Sequence, residues 1–140
     1  MTLTLFVCGT LLPELVPGHL RGLIGSLTSV GKATVCGTLY DLGDYPGAIL
    51  DEDAPDRIRG WVYQLPADAS VLSALDDYEG IDPTDETASL FIRELTTATM
   101  VTGEKVECWI YTYNRSVHLA PMIIGGDYLK HLAEKNVNDG

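Results

Sequence analysis

Basic residues are scarce. Nine Lys and Arg stand against twenty Asp and Glu, a formal net charge of −11 and an isoelectric point near 4.4. Phosphate backbones and anionic headgroups need a positive field, so neither a general nucleic-acid binder nor a polybasic membrane-surface protein is expected. Long apolar runs are missing too. The longest uncharged stretch, Met1 to Pro13, is well short of the roughly 20 residues of a membrane span. No Lys or Arg precedes it, as one would at the start of a secretory signal. Cysteine is sparse and odd in number: Cys8, Cys36 and Cys108 form no Cys-x-x-Cys pair and imply no complete disulfide framework. His19, His118 and His131 are equally scattered, so no local ligand spacing points to a metal. The cysteines are expected to pack as small core hydrophobes. Phosphate-loop, dinucleotide and nucleophile-elbow motifs are all lacking. What remains is a soluble, acidic, cytoplasmic protein, with 46% hydrophobic residues to build one core.

No repeat, low-complexity tract or Ser/Gly linker divides the 140 residues, which are read as one domain, 1–140. Leu3 to Cys8 is an apolar, β-forming run that Gly9 ends. Leu11 to Ser29 is broken by Pro13, Pro17 and Gly18, with a short helix expected around His19 to Ser26. Ala33 to Leu42 predicts a second strand. A turn over Asp44 to Gly47 leads into Ala48-Ile49-Leu50, and an acidic loop follows. Arg57 to Leu65 alternates as a strand. After Pro66, Asp68 or Ser70 caps a helix with Val71, Leu72, Leu75 and Tyr78 on one face, and Gly80 stops it. Leu90 to Val101 and Lys105 to Tyr113 form a hairpin about Thr102-Gly103-Glu104. Gly126 to Glu134 predicts a closing helix with Tyr128, Leu129 and Leu132 inward. The sum is α+β: a small mixed β-barrel or curved sheet with a few flanking helices.

Two segments carry possible chemistry. At Cys8-Gly9-Thr10-Leu11 a strand runs into a glycine turn, which can leave successive N–H groups pointing one way to hold a carboxylate or oxyanion. Gly9 there permits the backbone conformation and a close ligand approach. The plain alternative is an ordinary turn. At Leu75 to Gly80, three carboxylates crowd the C-terminal end of the predicted helix, where the macrodipole disfavours negative charge. Repulsion and dipole both favour a proton, so one of these acids should titrate high, as a proton shuttle requires. Asp76 and Asp77 lie in the helix body and can be solvated. Glu79 sits at the junction with the loop. The plain alternative is an exposed acidic helix end. Tyr111 and Tyr113 share one strand face and read as barrel lining or core. Arg93 is expected to pair with a nearby acid.

In combination these segments resemble the gamma-glutamylcyclotransferase-like family. Leu5 to Leu11 is similar to its opening aromatic-Val-Tyr-Gly-Thr-Leu motif, with Cys8 where Tyr is common. Gly37 to Leu42 with Tyr45 to Ile49 resembles its second block, and Ile58 to Tyr63 its third. Leu75-Asp76-Asp77-Tyr78-Glu79-Gly80 resembles the segment carrying the family's acid/base glutamate. Phe91-Ile92-Arg93 stands where Tyr-x-Arg is common, and Trp109 to Tyr113 resembles the last long strand. The resemblance implies a small barrel with a cavity at one end. It implies intramolecular attack of a γ-glutamyl α-amine on its own side-chain amide, releasing 5-oxoproline and a free amine or amino acid. Glu79 would be the catalytic acid/base, and Cys8, Gly9, Thr10, Leu11 and Tyr111 would surround a small-molecule γ-glutamyl substrate. No metal or organic cofactor is implied. The alternative on the same fold is a non-catalytic module that binds a small ligand or a protein.

Overall fold

The computed structural model describes residues 3–82 and 84–139, with side chains through Lys135. Six strands and three helices follow in the order β1 (Thr4–Val7), α1 (Gly18–Gly25), β2 (Thr28–Asp41), β3 (Pro46–Leu50), β4 (Arg57–Gln64), α2 (Ala69–Tyr78), β5 (Phe91–Met100), β6 (Lys105–Tyr113) and α3 (Tyr128–Asp139). The sheet runs β3-β2-β4-β1-β6-β5, and β5 returns to β2 through Ala33↔Met100 and Thr34↔Thr99. Five strands thereby close into a barrel, with β3 an additional strand beside the far half of β2. Among the described residues only β1 and β6 run parallel, with Leu5↔Trp109 and Phe6↔Ile110 in register.

Alternation along the strands divides the apolar residues between two cores. Inward positions such as Phe6, Val35, Leu39, Ile58, Val62 and Ile110 fill the barrel. Their outward neighbours Leu5, Val7, Tyr63, Leu65 and Tyr111 meet α1 and α2, whose Leu20, Ile24 and Leu75 complete a second core. Leu75 is fully buried, worth about 2 kcal/mol of apolar transfer. Val71, Leu72 and Tyr78 are half-buried beside it, on the helix face the spacing predicts. At the far end Tyr128, Leu129 and Leu132 pack inward, and Asp41 holds α3 by accepting from His131 Nε2 at 2.8 Å and Lys135 Nζ at 3.2 Å. Among the described residues no helix is long and apolar enough to cross a membrane.

Several expectations change. The second strand begins at Thr28 rather than Ala33, because β4 offers its whole length as a template: Thr28 pairs with Gln64, and the ladder runs to Cys36↔Arg57 across an irregularity at Ser29/Gly31. Those first residues are mostly exposed and polar, so no buried face marks them. Tyr111 is core, but outside the barrel, against α2. Cys8 and Cys108 are buried. Cys36 is not: it faces outward, half-buried, with Arg57 Nη1 2.8 Å from its sulfur.

Candidate active site

α2 delivers one acid to the barrel rim with both helix ends fixed by sequence. Asp68 caps the first turn by accepting from the Ser70 N–H at 2.9 Å. At the other end Gly80 adopts φ +76, a left-handed conformation that glycine alone takes without strain. Its N–H donates to Asp77 O and that of Ile81 to Asp76 O, both at 3.1 Å. This double closure makes Glu79 the C-cap residue.

Glu79 borders a cavity of about 360 Å³ between the ends of β1, β3, β5 and β6 and the C-terminus of α2. The wall opposite is apolar: Phe91 packs between Tyr45 and Tyr113, with ring centroids 5.7 and 5.5 Å away. No described residue donates a hydrogen bond to the Glu79 carboxyl. Burial, with the negative charge of Asp76 one turn back, raises its pKa from 4.5 to about 7.

The loop after β1 forms the facing wall. Cys8, Gly9, Thr10 and Leu11 all line the cavity. The N–H groups of Gly9, Thr10 and Leu11 donate to no described residue, while the Gly9 carbonyl accepts from Leu12 N–H at 2.9 Å and closes the turn. Gly9 matters for a different reason from the one expected. Its φ is not positive, so backbone freedom is not what it supplies. It supplies room: a Cβ there would lie 2.7 Å from Pro46 Cγ and 3.0 Å from Cδ, so any side chain would push β3 off the loop. The Tyr78 hydroxyl donates to Thr10 Oγ1 at 2.9 Å and ties the loop to α2. Burial, and secondarily Glu79, push the Cys8 thiol up to about 12, so it stays protonated and packs.

Asp76 is not solvated as expected. It takes a two-pronged ion pair from Arg93 and a hydrogen bond from the Tyr111 hydroxyl at 2.7 Å. The expected pairing of Arg93 thus falls on the acid one helical turn before Glu79. Burial, then the bond to Asp76, push the Tyr111 hydroxyl pKa far up. The six residues given catalytic or substrate-binding roles in the sequence, Cys8, Gly9, Thr10, Leu11, Glu79 and Tyr111, all border this one cavity. Sequence reasoning missed Asp76 and Tyr78 as parts of the wall or its support. The helical spacing of Asp76 and Glu79, three apart, was the available signal. A second and larger cavity, about 550 Å³, is bordered by Lys32, Arg59, Glu14 and Asp127, charges of both signs, three of them on exposed residues.

The profile of a family described as gamma-glutamyl cyclotransferase, AIG2-like, matches residues 5–130. No curated protein matches the sequence significantly. Among solved structures, YkqA from Bacillus subtilis superposes with a TM-score of 0.74 at 21% identity; the match covers 98% of this chain and 43% of YkqA. An AIG2-like protein from Mus musculus gives 0.66 at 22% identity, over 86% of this chain and 84% of the other. The protein ytfP from Escherichia coli gives 0.64 at 26% identity, over 91% and 97%. These likenesses establish a shared fold.

Proposed function

The chain belongs to the gamma-glutamyl cyclotransferase, AIG2-like family, and on that premise we propose that it converts a γ-glutamyl amide into 5-oxoproline and a free amine or amino acid. The α-amine nitrogen attacks the side-chain amide carbon and closes a five-membered ring. The bond from that carbon to the leaving nitrogen then breaks, and no water is consumed. Glu79 takes the proton from the attacking amine and gives it to the leaving one, as general base and then general acid. The free N–H groups of Gly9, Thr10 and Leu11 are donors for the substrate carboxylate or for the oxyanion that forms during attack. Every proton movement is covered by one carboxyl, so the step needs no metal or organic cofactor.

The observation that carries this reading is Glu79 itself. A half-buried carboxyl titrating at about 7 shares one cavity with a row of N–H groups that have no partner among the described residues. A module that only binds a ligand has use for the N–H row but not for an acid tuned to neutral pH. The partner is thus a small molecule, and the three free cysteines suit a reducing cytoplasm. Incubation with a panel of γ-glutamyl amines and γ-glutamyl amino acids, with 5-oxoproline as the readout, tests the proposal. Product from at least one member is expected; a panel that yields none and shows no binding removes the substrate class.

A further inference from the structure

Two strands converge on one carboxylate in the last turn of α2. From β5, Arg93 Nε lies 2.9 Å from Asp76 Oδ1 and Nη2 lies 3.2 Å from Oδ2. The same guanidinium sits 4.3 Å from the centre of the Trp109 ring, so its plane is held from behind. From β6, the Tyr111 hydroxyl donates to Asp76 Oδ1 at 2.7 Å. A phenol owns a single proton, and an ionised carboxylate can only accept. Both Asp76 oxygens already accept from Arg93, and the Tyr111 hydroxyl donates to Oδ1, so its one proton is committed to Asp76. Tyr111 borders the cavity, and any ligand group that reaches its oxygen meets lone pairs.

The rest of the cavity shows the opposite bias. The loop offers N–H donors at Gly9, Thr10 and Leu11, and the Thr10 hydroxyl, already accepting from Tyr78, has its own proton to give. Donors therefore gather on the β1 side, and Glu79 and Tyr111 form an accepting side on α2 and β6. A γ-glutamyl end carries one anionic group and one amine, a matching pair. We propose that Arg93, Asp76 and Tyr111 form a positioning chain that fixes Tyr111 as an obligate acceptor, so that the substrate's attacking amine docks on Tyr111 beside Glu79. Tyr111 touches the substrate; Asp76 and Arg93 act through it. This assignment rests on the cyclotransferase reading above.

The test pairs a γ-glutamyl amide with glutaramic acid, which keeps the carboxylate and the amide but has no amine. In the full chain, Tyr111→Phe preserves the ring packing and removes only the acceptor. Its kcat/KM for the amide should fall about 10- to 100-fold, the worth of a hydrogen bond to a charged or reacting amine. Its inhibition constant for glutaramic acid should move less than about two-fold. Asp76→Asn can donate to Tyr111 and reverse the bond, so it should reproduce that split. Equal weakening of both ligands, or an unchanged kcat/KM in Tyr111→Phe, overturns the proposal. If the wild-type chain neither turns over amides nor binds glutaramic acid, the cyclotransferase reading fails on its own. The positioning chain is then judged in ligand-free protein: the Tyr111 ¹³Cζ resonance, which reports the hydroxyl's hydrogen bond, shifts in Asp76→Asn if Asp76 holds its proton. An unmoved resonance overturns it.

Discussion

Glu79→Gln separates proton transfer from everything else the side chain does. The amide keeps the size and reach of the acid but has no titrating proton. General acid/base catalysis contributes about 10²–10⁴-fold, so 5-oxoproline release should drop by that factor. The wild-type kcat/KM should rise with pH through a limb near 7, where burial and the Asp76 charge place the Glu79 pKa, and the limb should vanish in the variant. Stability gives a second, independent reading. The folded-state pKa lies above the unfolded one, so the folded chain binds the extra proton between about 4.5 and 7. Wild-type stability from this group is complete below pH 4.5 and is lost as pH rises through 7. That loss has a ceiling of about 3 kcal/mol, reduced because the carboxyl faces an open cavity. Glu79→Gln should therefore be the more stable protein at pH 8 and no more stable at pH 4, as urea melts at both values would read. Asp77→Asn, at an exposed acid on the same turn, is the control and should cost little activity. Full activity in Glu79→Gln, or a dead Asp77→Asn, refutes the assignment.

Cys8→Ala should keep turnover within a few-fold, and iodoacetamide should inactivate wild-type protein slowly, because a thiol titrating at about 12 is no nucleophile at neutral pH. Rapid, substrate-protected inactivation that Cys8→Ala abolishes would contradict this. Gly9→Ala drives a methyl to 2.7 Å from Pro46 Cγ and should destabilise by about 1–3 kcal/mol in urea melts, with activity lost as the loop shifts. Adding Pro46→Ala, which removes the clashing ring atoms, should restore part of both. The His131 and Lys135 contacts lower the Asp41 pKa from 3.8 to about 2, so their stabilisation is present above 3.8 and lost as pH falls through 2. Asp41→Asn should consequently lower the melting temperature at pH 7 and leave it nearly unchanged at pH 2.

Both caps of α2 can be read from the chain, because Asp68 and Gly80 act through their own covalent geometry and need no distant partner. The β5–β6 hairpin is equally local. Glu79 stands out for a related reason: like charges and a helix C-terminus are neighbours along the sequence. What the chain does not disclose is long-range. The start of β2 depends on β4, about thirty residues on. The placing of Tyr111 outside the barrel follows from which face of β6 meets α2, and period-2 spacing cannot choose between faces. The charge balance around Asp76 needs Arg93 and Tyr111 from two later strands. Gly9 invites an explanation by backbone freedom, when its partner is a proline ring on a strand not yet reached.

The lone parallel pairing in the barrel has a consequence for how the site comes into being. β1 is wedged between β4 and β6, and its contact with β6 joins residues about a hundred positions apart. Such a closure is entropically late in folding and slow compared with hairpin formation. During synthesis the loop that carries Gly9 emerges well before β6, so it has no fixed partner on the β6 side until nearly the whole barrel has been made. Donor row and acid are thus assembled by the same event that seals the barrel, and a nascent chain stopped before β6 would have Glu79 and Gly9 without a cavity between them.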